Sequence, residues 1–285
     1  MLILLVIPLF GSLSLFFLVS LLKRKWITSL ILLLLLVLLN FYAEIISVGG
    51  LFLSRASKPG FTVLAYNVHN KGEGYEEKQA DIAKLILAES PDVAYLCEFA
   101  LWRNKQLDSI LTDNEYKRYY LSGINCVFYS KYPIDSIAGI HIKEDKKKYS
   151  LTNKVHVFIG NDTLKLIGCH LSSSNYHIRE GYELRAKEAD AIYKSIMEDR
   201  HPVIVMGDLN DISGSYAVER IKEAGLKDAW WKGGFGYGAT FHDKWLRLRL
   251  DHILYRDSKL DLQYVKVIDS DLSDHNAILA GFSFR

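Results

Sequence analysis

Residues Val203 to Asn210 read VIVMGDLN: an apolar, β-branched run, a glycine, then an acid and a carboxamide. The same pattern recurs down the chain. Asn67 lies in LAYNVH, Glu98 in YLCEF, His170 in GCHL, Asp251 in RLDHIL, and Asp274 with His275 in LSDH. Each of these residues, like Asp208 and Asn210, stands at the end of a strand-like run. A strand end delivers its side chain to one rim of a sheet, so residues far apart in sequence can converge on one pocket.

The segments between these runs alternate between strand and helix. Phe61 to Val68 reads as a strand, Tyr75 to Glu89 as an amphipathic helix, Val93 to Cys97 as a strand and Trp102 to Leu111 as a helix. A polar loop is expected at Lys143 to Lys148. Val155 to Ile159 and Leu164 to Cys169 flank Gly160, Asn161 and Asp162 as a hairpin. Glu180 to Met197 is the longest expected helix, Val203 to Met206 a strand ending at Gly207, and Ile253 to Tyr255 and Ala277 to Phe282 late strands. Strands outnumber helices, and hairpins mix with crossovers, which predicts an α/β sandwich of mixed sheets and argues against a doubly wound parallel sheet.

The side chains at the strand ends are carboxylates, carboxamides and two histidines, without a nucleophilic serine or cysteine. That inventory is the chemistry of a hard divalent cation and an activated water acting on a phosphate ester. Taken singly, each motif has a plainer reading. Asp208 and Asn210 alone suit a turn, Glu98 a buried ion pair, His170 a core histidine and Asp274 an N-cap.

Together and in this order the motifs resemble the endonuclease/exonuclease/phosphatase superfamily of DNase I-like metal-dependent phosphoesterases. The resemblance runs over almost all of Phe61 to Phe284 and includes Gly123 to Pro133 (GINCVFYSKYP) and Gly236 to Phe241 (GYGATF). It implies a four-layer α/β/β/α sandwich of two mixed β-sheets with the site at one rim. By the same resemblance Glu98 is a direct cation ligand, Asn67 positions phosphate or cation-bound water, and Asp274 completes the cation site. His275 is the general base or a transition-state donor oriented by Asp251. Asp208 positions the attacking water, Asn210 holds a phosphate oxygen, and His170 stabilises the phosphorus centre or protonates the leaving oxygen. Hard oxygen ligands select Mg²⁺, with Mn²⁺ or Ca²⁺ as alternatives, over Zn²⁺. Arg179 and His177, in the polar stretch Ser172 to Tyr182, and Thr240 in the Gly-rich segment are candidate substrate contacts. His252 is expected to face away from the site, and Trp230, Trp231, Phe235 and Tyr237 to pack beneath a loop.

The first sixty residues are a different material. Residues 2–22 carry no charge, Lys23, Arg24 and Lys25 follow, and residues 26–43 are again uncharged. Each stretch is about 30 Å long as a helix, which predicts a transmembrane hairpin, followed by a linker over 47–60 and a catalytic domain over 61–285. The basic turn places that domain on the extracytoplasmic side. Cleavage of residues 26–43 as a signal-peptide core is an alternative that exports the domain equally. Residues 61–285 hold 30 basic and 32 acidic side chains. Such a near-neutral domain excludes tight nucleic-acid binding through lysines alone. The expected substrate is a phosphodiester or phosphomonoester on nucleic acid, slightly favoured, or on a lipid headgroup or inositol phosphate at the membrane surface, with a non-catalytic binding module as a further alternative; no protein partner is implied. Cys97, Cys126 and Cys169 lack metal-type spacing and read as small core residues.

Overall fold

The apolar runs become sixteen strands among the described residues of the computed structural model, which are 13–45, 47–51, 53, 59–70, 74–121, 125–144, 147–149, 152–173 and 178–285. In chain order these are β1 (Phe61–Asn67), β2 (Val93–Cys97), β3 (Lys117–Tyr120), β4 (Cys126–Ser130), β5 (Ile134–Gly139), β6 (Ile142–Glu144), β7 (Lys147–Tyr149) and β8 (Thr152–Ile159). The remainder are β9 (Asp162–His170), β10 (Val203–Asp208), β11 (Lys227–Asp228), β12 (Phe241–Asp243), β13 (Leu246–Leu248), β14 (Asp251–Tyr255), β15 (Leu260–Ile268) and β16 (Ala277–Phe284). Residues 13–22 are helical, and the helices that follow are α1 (Trp26–Ile45), α2 (Tyr75–Glu89), α3 (Lys105–Thr112), α4 (Ile178–Met197), α5 (Tyr216–Lys222) and α6 (Ala229–Gly233).

Two six-stranded sheets run in the orders β15-β16-β1-β2-β4-β3 and β11-β14-β10-β9-β8-β5. Both are mixed. β1 is parallel to β2 and antiparallel to β16; β10 is parallel to β9 and antiparallel to β14. Alternation along each strand sorts its side chains into two cores. Val63, Ala65, Val93 and Tyr95 join Val155, Ile204 and Ile253 between the sheets. Leu64, Tyr66 and Leu96 face outward onto Ile82 and Ile86 of α2 and Leu107 of α3. On the far side Ile167 and Val205 meet Ala189 and Ile192 of α4 and Ile221 of α5. The layers are therefore α/β/β/α, as expected. Burial on both faces explains why the central strands read as continuous apolar runs.

Two motif glycines let the sheets meet. A Cβ on Gly168 would lie 2.2 Å from the Tyr95 ring, and one on Gly207 would lie 2.9 Å from it. Tyr95 thus fills the space that these residues leave open, three residues before Glu98. Gly168→Ala is expected to destabilise the domain by about 1–3 kcal/mol through overpacking, read as a lower urea midpoint. An unchanged midpoint would refute this contact.

Several boundaries differ from expectation. β10 continues through Asp208 because that residue still pairs with His170 and Asp251. The helix expected from Trp102 begins only at Lys105, and Trp102 stands in a turn with its side chain 75% exposed. The expected loop at Lys143 to Lys148 contains the β6–β7 hairpin.

The transmembrane hairpin finds no support among the described residues. Among the described residues no helix is long and apolar enough to cross a membrane. Residues 1–12 of the first expected span lie outside them. The hairpin is therefore not supported by what is described.

The segment read as a linker is in part docked. Ser47 exchanges backbone hydrogen bonds of 2.9 and 2.8 Å with Gly236, and its hydroxyl donates to the carbonyl of Trp230 at 2.8 Å. Gly49 packs so closely that a Cβ would lie 2.4 Å from the Trp231 carbonyl oxygen. Small residues there serve close approach to the Trp231–Gly234 backbone, where composition alone read as a linker.

Candidate active site

Three strands of the second sheet end on one rung. Asp208 of β10 pairs in register with His170 of β9 and with Asp251 of β14. Neighbours in register point to the same face about 4.8 Å apart. The first sheet faces them with Asn67, the last residue of β1, and Glu98, the residue after β2. The segment leading into β16 supplies Asp274 and His275.

Asn67 links the two sheets. Its amide nitrogen donates to Asp208 Oδ2 at 3.0 Å and to Glu98 Oε1 at 3.4 Å, while its Oδ1 accepts the His69 backbone N–H at 3.0 Å. Both amide hydrogens are spent on carboxylates, so Asn67 spaces and orients them. It was expected among the cation's immediate surroundings; the structure gives it protein partners instead. Its carbonyl also accepts the Ser273 hydroxyl at 2.8 Å, which anchors the Asp274–His275 segment to β1.

His275 is held between carboxylates. Its Nδ1 lies 2.7 Å from Asp251 Oδ2 and its Nε2 lies 3.7 Å from Asp208 Oδ2. Phe241 packs edge-on against the ring at 5.1 Å. Burial by itself lowers the His275 pKa, but the charges of Asp251, Asp208 and Asp274 outweigh it and push it up to about 10. Burial, and then the Asp251 charge, raises Asp208 above the ordinary carboxylate range against the pull of His275 and His170. Asp208, Asp251 and His275 have the donor types of a metal cage, with ligand atoms within 4.8 Å of one another. Because His275 is held protonated, its Nδ1–H donates to Asp251 and the ring keeps no lone pair for a metal, so the trio fits a proton-holding pair instead.

His170 overlooks this pair, with Nε2 3.7 Å from Glu98 Oε1 and 4.0 Å from Asp208 Oδ2. Asn210 donates its backbone N–H to Asp208 Oδ1 and one amide hydrogen to the Leu171 carbonyl, each at 2.8 Å, which leaves its second amide hydrogen for a ligand. Asp251 is oriented from behind by Thr240, whose hydroxyl accepts the Asp251 N–H at 2.9 Å and the Leu250 N–H at 3.1 Å. Thr240 is 0% exposed. The expected substrate contact there is corrected to a support of Asp251.

Of the other candidate substrate contacts, His177 lies outside the described residues. Arg179 is exposed and ion-paired with Glu183 at 2.9 Å, and among the described residues no contact joins it to the rung. His252 faces away as expected, buried against Arg249 and Asp228. Trp230 packs under the loop, donating to the Gly236 carbonyl at 3.1 Å.

One functional residue was missed. His69 closes the quoted motif LAYNVH, and its Nδ1 lies 3.4 Å from Asp274 Oδ1 and 3.7 Å from Glu98 Oε2. These separations exceed a normal hydrogen bond and suit ligands sharing one cation. His69, Glu98 and Asn210 all adopt positive φ (43°, 50° and 50°) just after the ends of β1, β2 and β10. Such backbone strain in non-glycine residues collects at functional sites.

The loop after His170 is pinned by Glu188, which accepts the Ser172 N–H and hydroxyl, each at 2.9 Å. Burial raises the Glu188 carboxyl to about 7, against the lowering effect of those hydrogen bonds and of Arg185. The folded state therefore binds this proton more tightly than the unfolded chain. Its stabilisation is full below about pH 4.5 and is lost as pH rises through about 7. Urea denaturation at successive pH values is expected to show that decline, of order 3 kcal/mol, and Glu188→Gln to flatten it. An identical slope in the variant would sink the assignment.

The sequence model of the Endonuclease/Exonuclease/phosphatase family matches residues 64–275, from β1 to His275. The chain belongs to this family. No curated protein matches the sequence. Among solved structures, a humanized TDP2 of D. rerio is 18% identical with a TM-score of 0.66, covering 78% of this chain and 98% of that one. The human Nocturnin catalytic domain with a bound sulfate is 18% identical with a TM-score of 0.65, covering 80% and 94%. A mannosyl-6-phosphatase of Bacteroides thetaiotaomicron is 16% identical with a TM-score of 0.65, covering 79% and 100%. At these identities the likeness shows the fold alone. The Endonuclease/Exonuclease/phosphatase family comprises divalent-metal-dependent phosphoesterase hydrolases.

Proposed function

We propose that this family member is a divalent-cation-dependent phosphodiesterase that acts by in-line attack of water on phosphorus, with nucleic acid as its favoured substrate. The observation that carries the reaction is the rung of His170, Asp208 and Asp251 closed by His275. Glu98 and Asp274, with His69 Nδ1 3.7 and 3.4 Å from them, would hold Mg²⁺ or Mn²⁺. When bound, the cation neutralises charge on the phosphoryl oxygens.

Asp208, more basic than an ordinary carboxylate, accepts the proton of the attacking water. His275, kept protonated by Asp251 and Asp208, donates to a phosphoryl oxygen, the donor alternative of its two expected roles. Asn210 offers its remaining amide hydrogen to a second oxygen. His170 stands over the leaving side.

The nucleic-acid reading is supported by the β12–β13 hairpin, which springs from Phe241 beside His275 and carries Trp245, 87% exposed, between Lys244 and Arg247. An exposed indole flanked by cations can stack on a base while the cations take phosphates. Single-stranded DNA product is bound by D. rerio TDP2 in its complex structure.

A second reading, a lipid-headgroup phosphoesterase, is favoured by the docking of Ser47 on Gly236, which brings the end of the apolar α1 to the segment leading into that hairpin. On either reading the uncharged amino-terminal stretches tether the enzyme to a membrane with its domain extracytoplasmic. Carbonate extraction and protease shaving of intact cells test the tether; release by carbonate would refute it.

The full chain is to be assayed with Mg²⁺, Mn²⁺ or EDTA against bis-p-nitrophenyl phosphate, p-nitrophenyl phosphate, single-stranded DNA, RNA and phospholipid vesicles. Cation-dependent cleavage of the diester and of nucleic acid is expected. Turnover confined to vesicles or monoesters would overturn the nucleic-acid reading, and none with any cation would overturn the enzyme.

A further inference from the structure

At the end of the second sheet remote from the active site, His156 of β8 lies across from Lys165 of β9, which pairs in turn with Val203 of β10. That rung is five residues before His170 along β9, or about 17 Å. The loop between α4 and β10 folds over it. Asp199 places Oδ2 2.8 Å from His156 Nε2 and Oδ1 2.6 Å from His201 Nδ1. The two imidazole rings stand edge to face at 5.4 Å. One nitrogen from each and one carboxylate oxygen lie within 4.8 Å of one another. His156 is partly exposed and His201 exposed, so water reaches the cluster.

We infer that His156, Asp199 and His201 form a second cation site, for Zn²⁺ or a similar borderline transition ion, that staples the α4–β10 loop to β8. Two nitrogens and one oxygen with a position open to water are the ligand set of a tetrahedral Zn²⁺ site. Ligands drawn from a strand and from positions i and i+2 of a loop need only small side-chain movements to close on one ion.

The surroundings narrow the choice of ion. The buried Lys165 ammonium lies 3.4 Å from Asp199 Oδ2 and donates to the Ser195 carbonyl at 2.6 Å. Arg256 donates to the carbonyls of Asp199 and His201 at 3.4 and 3.2 Å. These cations engage Oδ2 and backbone oxygens; Asp199 Oδ1 accepts the His201 backbone N–H at 3.0 Å and turns its other lone pair toward the imidazoles, where the ion would sit. They oppose a hard ion held by charge alone, such as Mg²⁺ or Ca²⁺. An ion that also bonds strongly to imidazole nitrogen overcomes that opposition. The cluster therefore differs in selectivity from the carboxylate-rich catalytic site.

The test uses the full chain, stripped of metal and kept in excess Mg²⁺. Zn²⁺ is titrated by calorimetry, and Co²⁺ by its visible d–d absorption. A single equivalent is expected in the wild type and in a His69→Ala/Glu98→Gln variant, together with a Zn²⁺-dependent rise in Tm. His201→Asn and His156→Asn should lose that equivalent and the rise while keeping wild-type circular dichroism. Absence of binding at micromolar Zn²⁺, or an equivalent that survives both histidine substitutions, would show a hydrogen-bonded clasp only and overturn the site.

Discussion

Replacing Asp208 with alanine is expected to lower phosphodiester hydrolysis by about 10²–10⁴-fold while leaving the domain folded. Asp208 is where the two sheets meet chemically. It accepts from Asn67 at 3.0 Å and from the Asn210 backbone at 2.8 Å, and it faces Nε2 of His275 at 3.7 Å. Its carboxylate is buried beside Asp251, so ionisation is costly and its basicity is raised. Removing it takes away the proton acceptor and part of what keeps His275 protonated.

The loss should fall on kcat more than on KM, because neither role is used to hold the ground-state substrate. His275→Ala should cost a similar factor, and the double variant less than the product of the two, since Asp208 also helps keep His275 protonated. Stability should change little, because the alanine also removes an unfavourable buried charge. The measurements are steady-state kinetics on bis-p-nitrophenyl phosphate alongside circular dichroism and a urea melt. Retained turnover in either single variant would remove Asp208 and His275 from the chemistry.

The second large effect concerns the cation. Chelation should abolish hydrolysis, and Glu98→Gln should weaken Mg²⁺ and Mn²⁺ binding by at least about tenfold, since even residues behind a ligand matter by that factor. His69→Ala should weaken Mn²⁺ more than Mg²⁺, because imidazole nitrogen suits the later ion better. Calorimetric titration of each variant reads binding independently of turnover. Equal affinities in wild type and Glu98→Gln would place the cation elsewhere.

Much of this site was legible in the residues. An acid, amide or histidine at the end of an apolar run has few roles, and six such ends in order left little choice of chemistry. The layered fold followed from alternation and from the apolar character of strands buried on both faces.

Other assignments failed for reasons of partner choice. Thr240 looked available to substrate in a glycine-rich segment, yet its hydroxyl is consumed by the backbone of Leu250 and Asp251. His69 carried no signal beyond its place after Asn67, because its aim depends on a left-handed turn at φ 43°. Trp102 fitted a helical period, but the turn at 101–103 ends on Asn104, whose amide donates to the Ala100 carbonyl at 2.8 Å, and the helix starts after it.

By itself the sequence determined which side chains end strands and in what order, because period and residue type are local properties. Only the tertiary structure decided which of those ends face one another. That depends on the register of β9, β10 and β14 and on how closely Gly168 and Gly207 let the second sheet approach Tyr95. Contacts across the sheets, such as Asn67 to Asp208 and His69 to Asp274, follow from that approach. They arise between segments about 140 and 200 residues apart, where no local pattern records the pairing.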